Sequence, residues 1–249
     1  MDLDIILLLS LAALVAGFID AIAGGGGLIT LPALLIAGVP PTDAIATNKL
    51  QGTFGVATAS ARYWHAGLID LRSLATAVAA TAVGAAAGSL LVSNVDTAVL
   101  HRIMPFALIA AALYFAVTPY LREHAPHARI SALAFALGAA APVGFYDGVF
   151  GPGAGSLYTL AFLALAANNL ITATANAKVL NLTSNLTALG VFLVSGHINF
   201  AVGLAMAIGQ MIGAYAGSHT ALKHGTWIIR PLLVATTSAA AIKLLMGTA

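Results

Sequence analysis

Four ionisable residues stand inside long apolar stretches: Asp20, Lys49, Asp147 and Lys178. A charge at the centre of a bilayer costs at least about 3 kcal/mol, so such residues face a cavity or an opposite charge and mark function. They also form two matched sets. Asp147 follows Asp20 by 127 residues, and Lys178 follows Lys49 by 129. Two chemistries fit. In one, the lysines hold an anionic solute while the aspartates carry protons or steady the lysines. In the other, each Asp–Lys pair is a staple that ties the fold together.

The neighbours of the lysines favour a site. Thr47, Asn48 and Gln51 accompany Lys49, and Asn176, Asn181, Thr183, Ser184 and Asn185 surround Lys178. So many amides inside one span are costly unless they bind each other, water or solute. Asn48, Lys49, Asn176 and Lys178 are the leading candidates for contact with the solute, with Gln51 and Asn181 beside them. The histidines carry less. His65, His101, His124, His127, His197 and His224 lie near segment ends, His219 lies late in a span, and none has the His-x-x-x-His spacing of a metal site. There is no cysteine, which excludes disulfides, zinc thiolates and iron–sulfur clusters. No metal or cofactor is expected. An enzyme would need a nucleophile–base set that these residues do not supply.

Two glycine-rich breaks interrupt the apolar pattern. The first is Gly24, Gly25, Gly26 and Gly27, and the second is Gly151-Pro152-Gly153-Ala154-Gly155. Glycine inside a helix costs roughly 1 kcal/mol relative to alanine. A broken helix also leaves unpaired N–H groups at the start of its second half, with partial positive charge. Such an end suits an anion, and glycine lets a solute approach the backbone closely. Ser156, just after the second break, can donate to an oxyanion. No Gly-Lys-Ser/Thr follows Gly27, so the run is not a nucleotide phosphate loop.

The elements that must position these residues are helices in a membrane. The chain has 249 residues, 60% hydrophobic and 7% charged; soluble domains carry about a quarter charged residues. Its formal net charge of +2 is too small to argue for nucleic acid. Apolar segments run over 4–23, 28–38, 43–64, 70–93, 97–119, 130–150, 155–167, 171–195, 199–222 and 227–247. Most are long enough to span the hydrocarbon, which takes about 20 residues. The short ones, 28–38 and 155–167, each follow a glycine break. The acidic start Met1-Asp2-Leu3-Asp4 lacks the basic n-region of a cleaved signal, so the first helix is expected to be retained.

The halves repeat. Gly17-Phe18-Ile19-Asp20 matches Gly144-Phe145-Tyr146-Asp147, Gly67-Leu68-Ile69-Asp70 matches Gly196-His197-Ile198-Asn199, and Gly84/Gly88 match Gly213/Gly217. The Gly-x-x-x-Gly pairs let helices approach closely in lipid; they pack within the chain or serve a homodimer. Basic residues set the topology. An odd span count per half puts Arg62, Arg72, Arg122, Arg129, Lys223 and Arg230 on one side and only Arg102 on the other. The expected fold is therefore an all-α polytopic membrane protein of two inverted-topology repeats, each a Gly-broken helical hairpin followed by three transmembrane helices. The first repeat covers 1–120, a cytoplasmic linker 121–129 and the second repeat 130–249, with both termini outside. Inverted repeats with interrupted helices are the pattern of secondary transporters.

The stretch GFIDAIAGGGGLITLPALLIAGVPPTDAIATNKL (residues 17–50) resembles the opening signature of the sulfite exporter TauE/SafE family, also called the toluenesulfonate uptake permease family. The Gly67–Asp70 and Gly196–Asn199 turns resemble its loop pattern, and the resemblance covers nearly the whole chain. It implies a bacterial inner-membrane transporter of small sulfur-containing anions such as sulfite, sulfoacetate or other organosulfonates. The expectation is alternating access, coupled to protons or to the membrane potential. An anion channel and a carrier of small carboxylates stay open as alternatives.

Overall fold

The computed structural model describes residues 1–100, 102–104, 106, 130–166 and 168–225. The segments 97–119 and 227–247, and the linker 121–129 with Arg122 and Arg129, lie largely or wholly outside the described residues, as does Arg230. Among the described residues the chain is helical, without strands.

The first half contributes α1 (Leu3–Ala23), α2 (Gly27–Ile36), α3 (Pro41–His65) and α4 (Leu71–Ser93). The second contributes α5 (Ala132–Val149), α6 (Ala154–Leu165), α7 (Leu170–Ser195) and α8 (Phe200–His224). The expected segment ends agree within a few residues. Helices α1, α4, α5, α7 and α8 are long and apolar enough to cross a membrane. Helix α3 has 25 residues but is more polar, because it carries Asn48, Lys49 and Gln51 inward. Helices α2 and α6, with 10 and 12 residues, reach only about 15 and 18 Å, half of the hydrocarbon thickness.

Local chemistry explains several of these boundaries. Pro41 opens α3, where its missing N–H has no intrahelical partner to lose. The repeated turn after α3 and α7 works the same way twice. Gly67 and Gly196 adopt φ of 72° and 76°, and three residues after each glycine a side chain caps the next helix. Asp70 accepts from the Arg72 N–H at 3.0 Å, and Asn199 accepts from the Val202 N–H at 3.2 Å. In α5 the residues Ala136–Ala140 form a π-helical stretch. It lies just before Pro142, which cannot donate to the Gly138 carbonyl, and Thr81 Oγ1 approaches the Ala140 carbonyl there at 3.4 Å. Nothing in the hydropathy pattern announces this widening.

The halves interlock. Helix α1 packs chiefly on α8, and α5 chiefly on α4. The small-residue pairs make both contacts. Gly84 and Gly88 lie against the backbones of Ala141 and Phe145, while Gly209, Gly213 and Gly217 lie in turn against Ser10, Leu14 and Phe18. A methyl group at any of them would collide with main chain. The Gly-x-x-x-Gly faces are thus occupied inside the chain. Helix α3 lies between α7 and α8, with Leu50 at Gly203, Gly55 at Gln210 and Arg62 at His219.

Gly213→Val should cost about 1–3 kcal/mol through overpacking, or prevent folding, whereas Gly190→Ala, with nothing within 4 Å of an added Cβ, should melt no lower than the parent chain. Thermal melting in detergent compares the two.

Candidate functional site

The two glycine breaks meet. Helix α1 ends at Ala23, where the Gly24 N–H donates to the Asp20 carbonyl at 2.8 Å. Gly24 and Gly25 then take φ of 83° and 91°, which side-chain-bearing residues rarely adopt. In the second break Gly151 and Gly153 take φ of 97° and 84°. A Cβ on Gly24 would collide with the backbone of Gly155 and Ser156. The Ser156 hydroxyl donates to the Ala23 carbonyl at 2.8 Å, so it ties the breaks together instead of facing open space.

The four buried charges pair across the halves. Lys49 Nζ donates to Asp147 Oδ1, and the Ser184 hydroxyl donates to Asp147 Oδ2. Lys178 Nζ donates to the Asp20 carbonyl oxygen and, at 3.0 Å, to Asp20 Oδ2. Asp20 Oδ1 accepts from the Gly26 N–H at 3.0 Å, so this carboxylate holds the start of α2. Lys49 and Lys178 are 1% and 0% exposed, deep enough that each ammonium depends on its aspartate.

A cavity of about 30 Å³ opens at this junction. Lys49, Asp20 and Asp147 line it, together with Asn48, Gln51, Asn181, Asn185 and Gln210 and the backbones of Gly25, Gly27, Gly151, Gly153 and Gly155. It has room for about two water molecules. Asn48 Oδ1 accepts from Thr30 Oγ1 at 2.6 Å and from Gln51 Nε2 at 2.8 Å. Asn181 accepts from Asn185 Nδ2. With their oxygens occupied, Asn48 and Asn181 present amide N–H groups that have no hydrogen-bond partner among the described residues. These donors, beside an ammonium and a helix start, suit an oxyanion.

Most residues expected at the site converge here, but not all. Asp20, Gly25, Gly27, Asn48, Lys49, Gln51, Asp147, Gly153, Gly155 and Asn181 line the cavity. Gly24 and Gly26 shape the first break behind it. Asn176 and Lys178 are buried yet do not line it. Gln210, on α8, is a lining residue that sequence reasoning missed; Gly52, Val56 and Ala154 also line it. A lone amide within the apolar span 199–222 was the available signal. Among the described residues no group of histidines and acids can hold a metal ion.

Interlocked apolar helices, broken twice around a polar cavity, define a multi-pass membrane protein, and relatives refine this to a membrane transporter. The chain is 48% identical over 237 residues to the "Probable membrane transporter protein ORF9" of Sinorhizobium sp, covering 95% of this chain and 91% of that protein. It is 46% identical over 233 residues to the "Probable membrane transporter protein YfcA" of Escherichia coli (strain K12), covering 94% and 87%. A "Probable membrane transporter protein" of Haemophilus influenzae is 42% identical over 232 residues, covering 93% and 91%. The chain belongs to the sulfite exporter TauE/SafE family, whose model matches residues 9–244. No solved structure matches it.

Lys49→Met alone leaves the Asp147 carboxylate buried without its cation and should cost about 3–5 kcal/mol. The double change with Asp147→Asn should recover most of that loss, as read by melting of the two purified variants.

Proposed function

We propose that the protein is a secondary transporter of a small sulfur-containing anion, sulfite or an organosulfonate such as sulfoacetate, working by alternating access across the bacterial inner membrane. The observation that carries this reading is the meeting of two glycine breaks at a polar cavity that holds a buried lysine and unengaged amide N–H groups. An enzyme would need a nucleophile–base set; an anion-binding junction needs only donors and positive charge.

An inverted-repeat plan supports the same reading. Helices α1 and α8 run in one direction, judged from the successive pairings of Ser10, Leu14 and Phe18 with Gly209, Gly213 and Gly217. Helix α3 runs with them, from Leu50 at Gly203 to Arg62 at His219. Helix α4 returns from α3 through a five-residue turn, and α5 runs with α4. Helix α5 thus opposes α1, its counterpart in the repeat. Alternating access would then move the packed α1–α8 pair and the packed α4–α5 pair relative to each other about the junction of the two breaks. Arg62, Arg72 and Lys223 fall at one end of the bundle, which by the positive-inside rule is cytoplasmic and leaves the termini outside.

The charge balance supplies coupling. Each Lys–Asp pair is neutral, so an anion that takes the lysine leaves a buried carboxylate without its cation. For a monoanion such as hydrogen sulfite or a simple sulfonate, protonating that aspartate restores neutrality, and the anion and proton move together; the dianion sulfoacetate would bring a second proton on its own carboxylate. Lys49 Nζ is engaged by Asp147 at the cavity wall, so an anion can take the ammonium only as the Lys49–Asp147 pair rearranges.

Proteoliposomes test this. Sulfite or sulfoacetate flux should saturate with concentration and follow an imposed proton gradient, and Asp147→Asn should remove the gradient's effect. Flux that never saturates would favour a channel. A pH response unchanged in both Asp20→Asn and Asp147→Asn would contradict the coupling.

A further inference from the structure

The two buried pairs are related by the repeat, yet their surroundings differ. Lys49 lines the cavity and Lys178 does not. Beside Lys49 stand Asn48 and Gln51; the repeat puts Ala177 and Leu180 at the corresponding places beside Lys178, and both are core residues without exposed surface. Of the α7 amides, Asn181 stands beside Gly155 as Lys178 Nζ does, but its amide opens into the cavity while Lys178 does not. Amides of both halves, Asn48, Gln51, Asn181, Asn185 and Gln210, therefore face a cavity into which only Lys49 of the two lysines opens.

The bonding differs as well. Lys178 Nζ binds the carboxylate of Asp20 and also its carbonyl oxygen, which already accepts the Gly24 N–H. That carbonyl lies in the last turn of α1, where a cation satisfies unpaired acceptors and meets the negative end of the helix dipole. The other Asp20 oxygen holds the Gly26 N–H at the start of α2. Withdrawing Lys178 would loosen the end of one helix and the beginning of the next. Withdrawing Lys49 from Asp147 frees no main-chain group, and Asp147 keeps the hydroxyl of Ser184.

Building on the anion reading above, we propose that the duplicated pairs have divided labour. Lys49 with Asp147 is the single anion site of each chain, and Lys178 with Asp20 is a fixed clasp of positioning residues that keeps the first glycine break in shape. One anion is bound per chain, by the Lys49 ammonium and the amide N–H groups of Asn48 and Asn181.

Two charge-neutral double variants of the full chain separate the roles without stranding a buried charge: K49M/D147N and K178M/D20N. Calorimetry with sulfite and with sulfoacetate should give one anion per parent chain. Affinity should fall by about 100-fold or more in K49M/D147N, which removes a charge-assisted contact and its neighbours' alignment, and by less than about threefold in Lys178→Arg, which leaves every lining residue in place. Melting should show the reverse order, with K178M/D20N the less stable. If K178M/D20N does not fold, Lys178→Arg still gives the binding comparison. Two anions per chain, equal affinity losses, or a K49M/D147N chain that fails to fold while K178M/D20N folds would each overturn the division. If the parent chain binds neither anion, the transporter reading falls, and the clasp is judged on melting alone: equal losses in the two variants overturn it.

Discussion

Two ammonium groups and two carboxylates withdrawn from water must neutralise one another, and in this fold each does so with a partner from the other half. Lys49 of α3 reaches Asp147 of α5, and Lys178 of α7 reaches Asp20 of α1. The rest of the architecture follows from keeping those pairs in register. Each half must offer its first helix to the other, which is why α1 lies on α8 and α5 on α4. Neither half can bury its own charges alone.

Glycine serves this arrangement in two distinct ways. Along α4 and α8 it removes bulk, so that helices approach until backbones touch, which in lipid replaces the hydrophobic drive that water provides elsewhere. At the breaks it supplies backbone conformations with positive φ, so that helices end at the junction and expose donors there. The first use fixes the interlock, and the second makes the place where it closes chemically useful. Ser156 joins the two functions by fastening one break to the end of α1.

Much of this was legible in the chain itself. The helix boundaries, the two breaks, the repeated Gly67–Asp70 and Gly196–Asn199 turns and the four matched charges all follow from residue types and spacing. What was not legible depends on which neighbour a helix face meets. Asn176 and Asn181 both stand on α7, yet only Asn181 turns to the cavity. Gln210 is remote in sequence from every other site residue and reaches the junction only because α8 lies along α3. Spacing made Lys49 and Lys178 look equivalent, while their inequality arises from Ala177 and Leu180, apolar residues that attract no notice in a search for polar ones. The π-helical stretch before Pro142 likewise belongs to the contact with α4.

The proposed transport cycle exchanges an aspartate for an anion at a buried lysine, with a proton making up the charge. Calorimetry of methanesulfonate binding near neutral pH, in buffers of different ionisation enthalpy, counts that proton directly, because this ligand's own charge does not change. The expected result is uptake of about one proton for each anion bound, since a buried carboxylate that loses its lysine is stabilised by protonation. Binding with no proton exchanged would contradict proton coupling and leave movement of the anion down the membrane potential in its place.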